Sequence, residues 1–280
     1  MNAKKLKKVA AIQMCSTCRA EENLETASDL LKKAALMGAD LVVLPEMFPL
    51  IGIDSDYKLS IKETLGDGKI QSFLSDHASN LGIWIVGGAI PIACQNYNKV
   101  NSMSIVFNDE GLIVGNYSKV HLFDARVSEN EFYQESNTVE PGNRLTVIDT
   151  PIGKLGMSIC YDIRFPTLYN RLRDMGAEII TVPSAFPVAT GKAHWKLLAR
   201  SRAVENFCYI VGACQGGSHA SGRITYGHSL IIEPWGNVIK EVMKPGKAVI
   251  CAEIDLEKLH ALRAAIPVHK HQKISNMELT

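Results

Sequence analysis

Three things are scarce in this sequence, and each scarcity removes a class of function. Charge of one sign is the first. Thirty lysines and arginines stand against 29 aspartates and glutamates, for a formal net charge of +1, so no overall field draws the chain to nucleic acid or to an anionic membrane surface. Long apolar runs are the second. The one basic run, Lys4, Lys5, Lys7 and Lys8, leads into "VAAIQM", which Gln13 interrupts. That stretch is too brief for a signal-peptide core and far too short to span a membrane, and it reads as a solvated lead-in to a strand. Paired cysteines are the third. The seven cysteines (15, 18, 94, 160, 208, 214 and 251) form an odd, scattered set, which argues against a disulfide framework and for a reducing cytosol. "CSTC" (15 to 18) has redox or zinc spacing, but no second pair stands at ligand spacing and no thioredoxin context surrounds it. His269 and His271 read as part of a solvated tail. No metal and no organic cofactor is expected.

What is present is a large apolar content, 46% of 280 residues, enough to bury a sizeable core. Strand-like apolar runs alternate with helical patterns, which predicts an α/β architecture. In "EENLETASDLLKKAALMGAD", Leu24, Ala27, Leu31 and Ala34 share one helical face and Gly38 is a plausible stop. Fully apolar strands follow the helical stretches: "LVVL", "IWIVGGAI", "LGMSIC", "EIITV" and "CYIVGAC". Such strands suit one sheet covered on both faces, or two sheets packed together with helices outside. Internal echoes favour the second arrangement. "MGADLVVLPEMF" (37 to 48) returns as "MGAEIITVPSAF" (175 to 186), and "SIVFNDEG" (104 to 111) as "SLIIEPWG" (229 to 236), in the same order. The expected object is a pseudo-twofold duplication, each half a sheet with its outer helices. No Pro/Gly/Ser-rich linker divides the halves, so residues 1–280 are expected to form a single domain, with 265–280 an extended tail. The polar, aperiodic stretch from Phe123 to Arg144 is long for an ordered loop, and such loops are usually functional.

One cysteine sits in unusual company. In "GKLGMSICYDIRFPTL" a buried strand ends at Ile159, Cys160 opens a turn, and Pro166 can begin the next helix. Backbone N–H groups exposed in such a turn favour thiolate and can cradle an oxyanion. The plainer reading is a small buried hydrophobe. A cysteine nucleophile needs a base. His194 and His228 are candidates, but neither lies in a recognisable protease context. The other base on offer is a carboxylate, Glu46 at the end of "LVVLPEMF", where an apolar setting makes a carboxyl better suited to proton transfer. Lys119 in "GNYSKVHLFD" closes another strand, where a positive charge can stabilise thiolate and oxyanion.

Together "LPEMF", "YSKVHLFD" and "ICYDIRFP" resemble, in order and spacing, the three signatures of the nitrilase superfamily of carbon–nitrogen hydrolases, over nearly the whole chain. The resemblance implies a four-layer α-β-β-α sandwich. It implies that Glu46, Lys119 and Cys160 are catalytic, with a second active-site glutamate at Glu135 in "YQESNTVEPG". "CYDIRFP", "TGKAHWKLLARSRAVEN" and "YGHSLIIEPWGNV" are most similar to the branch of deaminated-glutathione amidases and ω-amidases, and "VPSAF" and "ACQGGSH" resemble the former. One departure is Thr167, where the family often has Glu.

The implied reaction is hydrolysis of a small carboxylate-bearing primary amide to acid and ammonia, through a thioester on Cys160. Glu46 serves as base and acid, and Lys119 with the Tyr161 N–H holds the oxyanion. Arg164 is expected to read a substrate carboxylate, with an ion pair to Asp162 as its structural alternative, and Phe186 and Thr190 to line the pocket. The implied substrate is deaminated glutathione. Alternatives are an ω-amidase acting on α-ketoglutaramate or α-ketosuccinamate, an N-acyltransferase on the same triad, and a non-catalytic binding module. The only partners expected are the small-molecule amide and further copies of the chain, as a dimer or tetramer.

Overall fold

The computed structural model describes residues 6–53, 56–129 and 131–273. Lys4 and Lys5 lie outside them. Lys7 opens the first strand, β1 (Lys7–Gln13), and α1 (Ala20–Leu36) buries Ala27, Leu30, Leu31 and Ala34 along one face. Gly38, at φ +79, turns the chain out of this helix in a conformation that β-carbons oppose. There follow β2 (Leu41–Val43), α2 (Lys69–Leu81), β3 (Trp84–Val86), β4 (Ile90–Ala93), β5 (Val100–Phe107) and β6 (Ile113–Ser118). The second run is β7 (Val147–Thr150), β8 (Gly153–Met157), α3 (Pro166–Asp174), β9 (Ile179–Thr181), α4 (Lys196–Asn206), β10 (Tyr209–Gly212), β11 (Leu230–Ile232) and β12 (Val238–Glu241). The chain closes with β13 (Ala248–Ile254) and α5 (Leu256–Ala265).

These strands make two sheets. One runs β13-β1-β2-β3-β5-β4, with β6 also on β5, and the other β12-β11-β10-β9-β8-β7. In each sheet three strands are parallel, β1-β2-β3 and β8-β9-β10. An antiparallel strand flanks them on either side, β13 and β5 in the first sheet, β7 and β11 in the second. The crossovers are α1 and α2 in the first sheet and α3 and α4 in the second. The two sequence echoes therefore fall on equivalent strands, β2 with β9 and β5 with β11. The duplication is real at the level of topology.

Side-chain alternation sets the layers. Val9, Ala11, Leu41 and Val43 point into a core shared with Leu155, Met157 and Ile179 of the other sheet. Their neighbours Ala10, Ile12 and Val42 point the opposite way, onto Leu31, Ala34 and Leu74 of α1 and α2. With a period of two, a strand buried on both faces must be apolar at every position, which is why these strands read as continuous apolar runs. The order of layers is helices, sheet, sheet, helices, an α-β-β-α sandwich.

Three local readings are corrected. "IWIVGGAI" spans β3 and the start of β4, two strands that each pair antiparallel with β5 and are separated at residues 87–89, where Gly88 takes φ +56. The stretch from Phe123 to Arg144 carries a small hairpin, Asp124–Arg126 with Phe132–Gln134, and then a 3₁₀ turn at Glu135–Asn137. The segment after Ala265 is not simply extended, since Val268–His271 forms a helical turn. Residues 274–280 lie outside the described residues.

Candidate active site

Each expected active-site side chain stands at the end of a strand or in a turn that follows one. After β2, Glu46 pairs in parallel with Ala89 just past β3. That close approach depends on Gly88, whose φ is +56 and where an added Cβ would stand 2.1 Å from the carbonyl oxygen of Pro45. Lys119 directly follows β6, and its backbone N–H donates to Ser102 O of β5. Cys160 sits three residues beyond the end of β8 at φ +46, opening the 3₁₀ turn Cys160–Arg164. A non-glycine residue in that region is strained and is held by its surroundings. Here Cys160 N–H donates to Pro183 O and Asp162 caps the turn through Ile159 N–H.

The four residues meet in one cavity of about 1120 Å³. Lys119 Nζ donates to Glu46 Oε1 at 2.8 Å and to Glu135 Oε2 at 2.8 Å, and Lys58 Nζ lies 3.9 Å from Glu135 Oε1. Lys119 and Glu46 are 2% and 3% exposed, so these charges interact with little screening. Burial alone pushes the Glu135 carboxyl up, but the Lys119 and Lys58 ammonium groups and the bonds from Lys119 and Phe123 N–H overcome it and hold it at about 2. Burial lowers the Lys119 ammonium, and Glu135, Glu46 and Cys160 more than reverse this, leaving it well above the ordinary lysine value.

The Cys160 thiol is pushed up rather than down. Burial is the main cause and the Glu46 carboxylate adds to it. Lys119 and the Ala185 N–H oppose them only in part. The expectation of a thiolate ready at the turn is therefore corrected: the resting group is a thiol, with the Glu46 carboxylate near it.

Tyr161, Phe186 and Thr190 line the same cavity, and Arg164 does not. Its guanidinium carbon is 5.7 Å from the ring centroids of both Tyr161 and Phe186, and Nη2 is 3.3 Å from His194 Nδ1. The reason is the turn type. Four residues along an α-helix return to within about 40° of the starting side chain, whereas in a 3₁₀ turn they end about 120° away. Asp162 does not pair with Arg164 either. It is fully buried and accepts from Tyr117 Oη at 2.8 Å, from His121 N–H and from Ile159 N–H. His228 Nδ1 bonds Glu241 at 2.9 Å, and neither it nor His194 reaches the cavity lining. Among the described residues no group of three or more His, Cys, Asp or Glu side chains is arranged to hold a metal ion.

Known proteins resemble this chain in sequence and in fold. The sequence profile of the carbon-nitrogen hydrolase family matches residues 8–264. The chain belongs to the carbon-nitrogen hydrolase family. It is 39% identical over 269 residues to a Homo sapiens deaminated glutathione amidase, covering 95% of this chain and 82% of that one. It is also 39% identical over 281 residues to one from Dictyostelium discoideum, covering 98% and 97%. The crystal structure of the C. elegans NitFhit protein superposes with a TM-score of 0.90 at 32% identity, over 99% of this chain and 67% of that one. A Saccharomyces cerevisiae member of branch 10 of the nitrilase superfamily gives 0.85 at 34%, over 99% and 100%.

This carbon-nitrogen hydrolase also brings to the cavity residues that its sequence does not advertise. Tyr57 and Lys58 come from a single helical turn, Tyr57–Ser60, and Arg223 from a hairpin, Gly216–Ser218 with Ile224–Tyr226. None lies near a catalytic motif. Only the folded chain shows that they face Glu135 and Cys160. Asp162 stands inside a motif, yet its role is to tie β6, through Tyr117 and His121, to the turn of Cys160.

Proposed function

We propose that this carbon-nitrogen hydrolase cleaves the amide of deaminated glutathione through a thioester on Cys160. The observation that carries the reading is the meeting of Cys160 and Glu46 in one cavity beside a Lys119 ammonium clamped by two carboxylates. In the first step Cys160 Sγ attacks the amide carbon as its proton passes to Glu46. The carbonyl oxygen becomes an oxyanion held by Lys119 Nζ and the Tyr161 N–H, which is second in the turn and so has no partner within it. Glu46 gives the proton to the departing nitrogen, the C–N bond breaks and the thioester remains. Water, losing a proton to Glu46, attacks that thioester. The thiolate leaves and recovers the proton. Glu135, ionised throughout, keeps Lys119 charged and in place.

One expectation changes with this substrate. Glutathione is linked through its γ-carboxyl, so replacing its amino group by a ketone leaves a secondary amide, and cleavage yields 2-oxoglutarate and cysteinylglycine rather than ammonia. A cavity of about 1120 Å³ suits such a tripeptide-sized molecule better than a five-carbon amide. All seven cysteines are free, which supports a reducing compartment, the cytoplasm. No helix among the described residues is long and apolar enough to cross a membrane.

The test is to supply deaminated glutathione and α-ketoglutaramate separately and follow 2-oxoglutarate, cysteinylglycine and ammonia. The peptide substrate should be preferred, and Cys160→Ala should abolish both turnover and the acyl-enzyme seen by intact mass. Faster turnover of α-ketoglutaramate would make the enzyme an ω-amidase. Diversion of product to an added amine would make it a transferase.

A further inference from the structure

Charges lining the cavity are mostly spoken for. Lys119 is shared by Glu46 and Glu135, Lys58 faces Glu135, and Lys192 is exposed. Arg223 is different. It lines the cavity, yet among the described residues no carboxylate stands within ion-pair reach of it. Its Nη2 donates to Ala185 O, its Nε is buried with no hydrogen-bond partner among the described residues, and its guanidinium lies 5.0 Å from the Tyr133 ring centroid. A buried donor left unmet and a charge left unpaired both carry a free-energy cost, and a planar guanidinium fork is the side chain best matched to a carboxylate.

The placement is close to the chemistry. Ala185 lines the cavity with Cys160, where its amide opposes the upward shift of the thiol, and its carbonyl receives Arg223, so one residue separates nucleophile from guanidinium. The hairpin that carries Arg223 is pinned in place. His219 Nδ1 bonds Ser16 O at 2.9 Å and Nε2 bonds Thr225 Oγ1 at 2.7 Å, while Tyr226 N–H donates to Phe186 O. Little ordering remains to be done when a ligand arrives.

We infer that Arg223, and not Arg164, reads a carboxylate on the acyl half of the substrate, a few carbons from the carbonyl that Cys160 attacks. This rests on the amidase reading above and names its acyl class: chains of glutaryl type, with a second carboxylate at the far end.

Two measurements test it. The first needs no turnover: glutarate should protect Cys160 from iodoacetamide, scored by peptide mass. Arg223→Gln should raise the half-protecting glutarate concentration about thirtyfold or more. Arg164→Gln should move it less than about threefold, because that side chain lies outside the cavity. Should the glutamine variant fail to fold, Arg223→Lys keeps a charge but lacks the fork, and a rise of about fivefold or more is expected. The second measurement is the ratio of kcat/KM for glutaramate over valeramide, which should fall in the Arg223 variants and hold in Arg164→Gln. A merely structural role would lower both rates and leave the ratio alone. Protection and ratio unchanged in the Arg223 variants, or altered as much by Arg164→Gln, overturn the inference. If glutarate protects as expected while deaminated glutathione is not turned over, the substrate reading falls and Arg223 stands.

Discussion

Lys119 is bound to Glu46 and to Glu135 at the same 2.8 Å, and the two carboxylates are not equivalent. Glu46 also stands near the Cys160 thiol, whose proton its charge helps to hold, so it is the one placed to exchange protons, while Glu135 stays ionised. Its carboxyl, held at about 2 against an ordinary 4.5, favours the charged form in the fold. Its stabilisation is therefore complete above about pH 4.5 and is lost as pH falls through about 2. Glu135→Gln should cost on the order of 3 kcal/mol at neutral pH. Thermal unfolding over a pH series should show the gap from wild type closing across that acid window. A gap of constant size would mean that the pairing contributes nothing. Glu46, Lys119 and Cys160 were legible in the sequence because each ends a strand-like run with a chemistry of its own, and Glu135 only through the family resemblance; all four line the cavity. Arg223, Tyr57 and Lys58 were not, because nothing near them in the chain signals a site and only tertiary contact brings them in. Arg164 stands outside the cavity lining, and the sequence did not show that the turn after Cys160 is 3₁₀.

At the scale of elements, the segment after β2 and the glycine pair after β3 form one device. Pro45 O sits where a β-carbon on residue 88 would be, and φ +56 at Gly88 is itself unfavourable for any other residue. Gly88→Ala therefore has no cheap relief, since the obstacle is backbone. It should destabilise by more than about 2 kcal/mol. It should also lower activity in whatever fraction remains folded, because the displaced segment carries Glu46. Chemical denaturation and specific activity of the soluble fraction check this, and a stable, fully active variant would show that the approach is looser than described. The strands themselves were readable as apolar runs, and the helix α1 as a 3.6-residue pattern. The break within "IWIVGGAI" was not, because an apolar run does not say whether two adjacent glycines continue a strand or end it. The hairpin after Phe123 escaped notice for a related reason: three-residue strands are too short to display alternation.

For the whole molecule, the duplication leaves the two sheets unequal in one respect. Each is assembled around three parallel strands, but the strand that completes the first sheet, β13, comes from the end of the chain and pairs with β1 over all seven residues from Lys7 to Gln13. A chain ending at residue 247 should fail to fold, as judged by loss of the cooperative thermal transition, because β1 would lose one of its two neighbours and the core side chains Ala252 and Ile254 would be missing. A cooperative transition near that of the full chain would show β13 to be dispensable. The same pairing has a consequence during synthesis. The first half leaves the ribosome early, yet its sheet keeps one open edge, with unmet N–H and C=O groups beside the buried Val9–Ile12 run, until residue 254 has emerged. Halves that look alike in the finished protein are thus not independent in time: the nascent first half must wait, and over that interval β1 is the strand that most needs shielding from other chains.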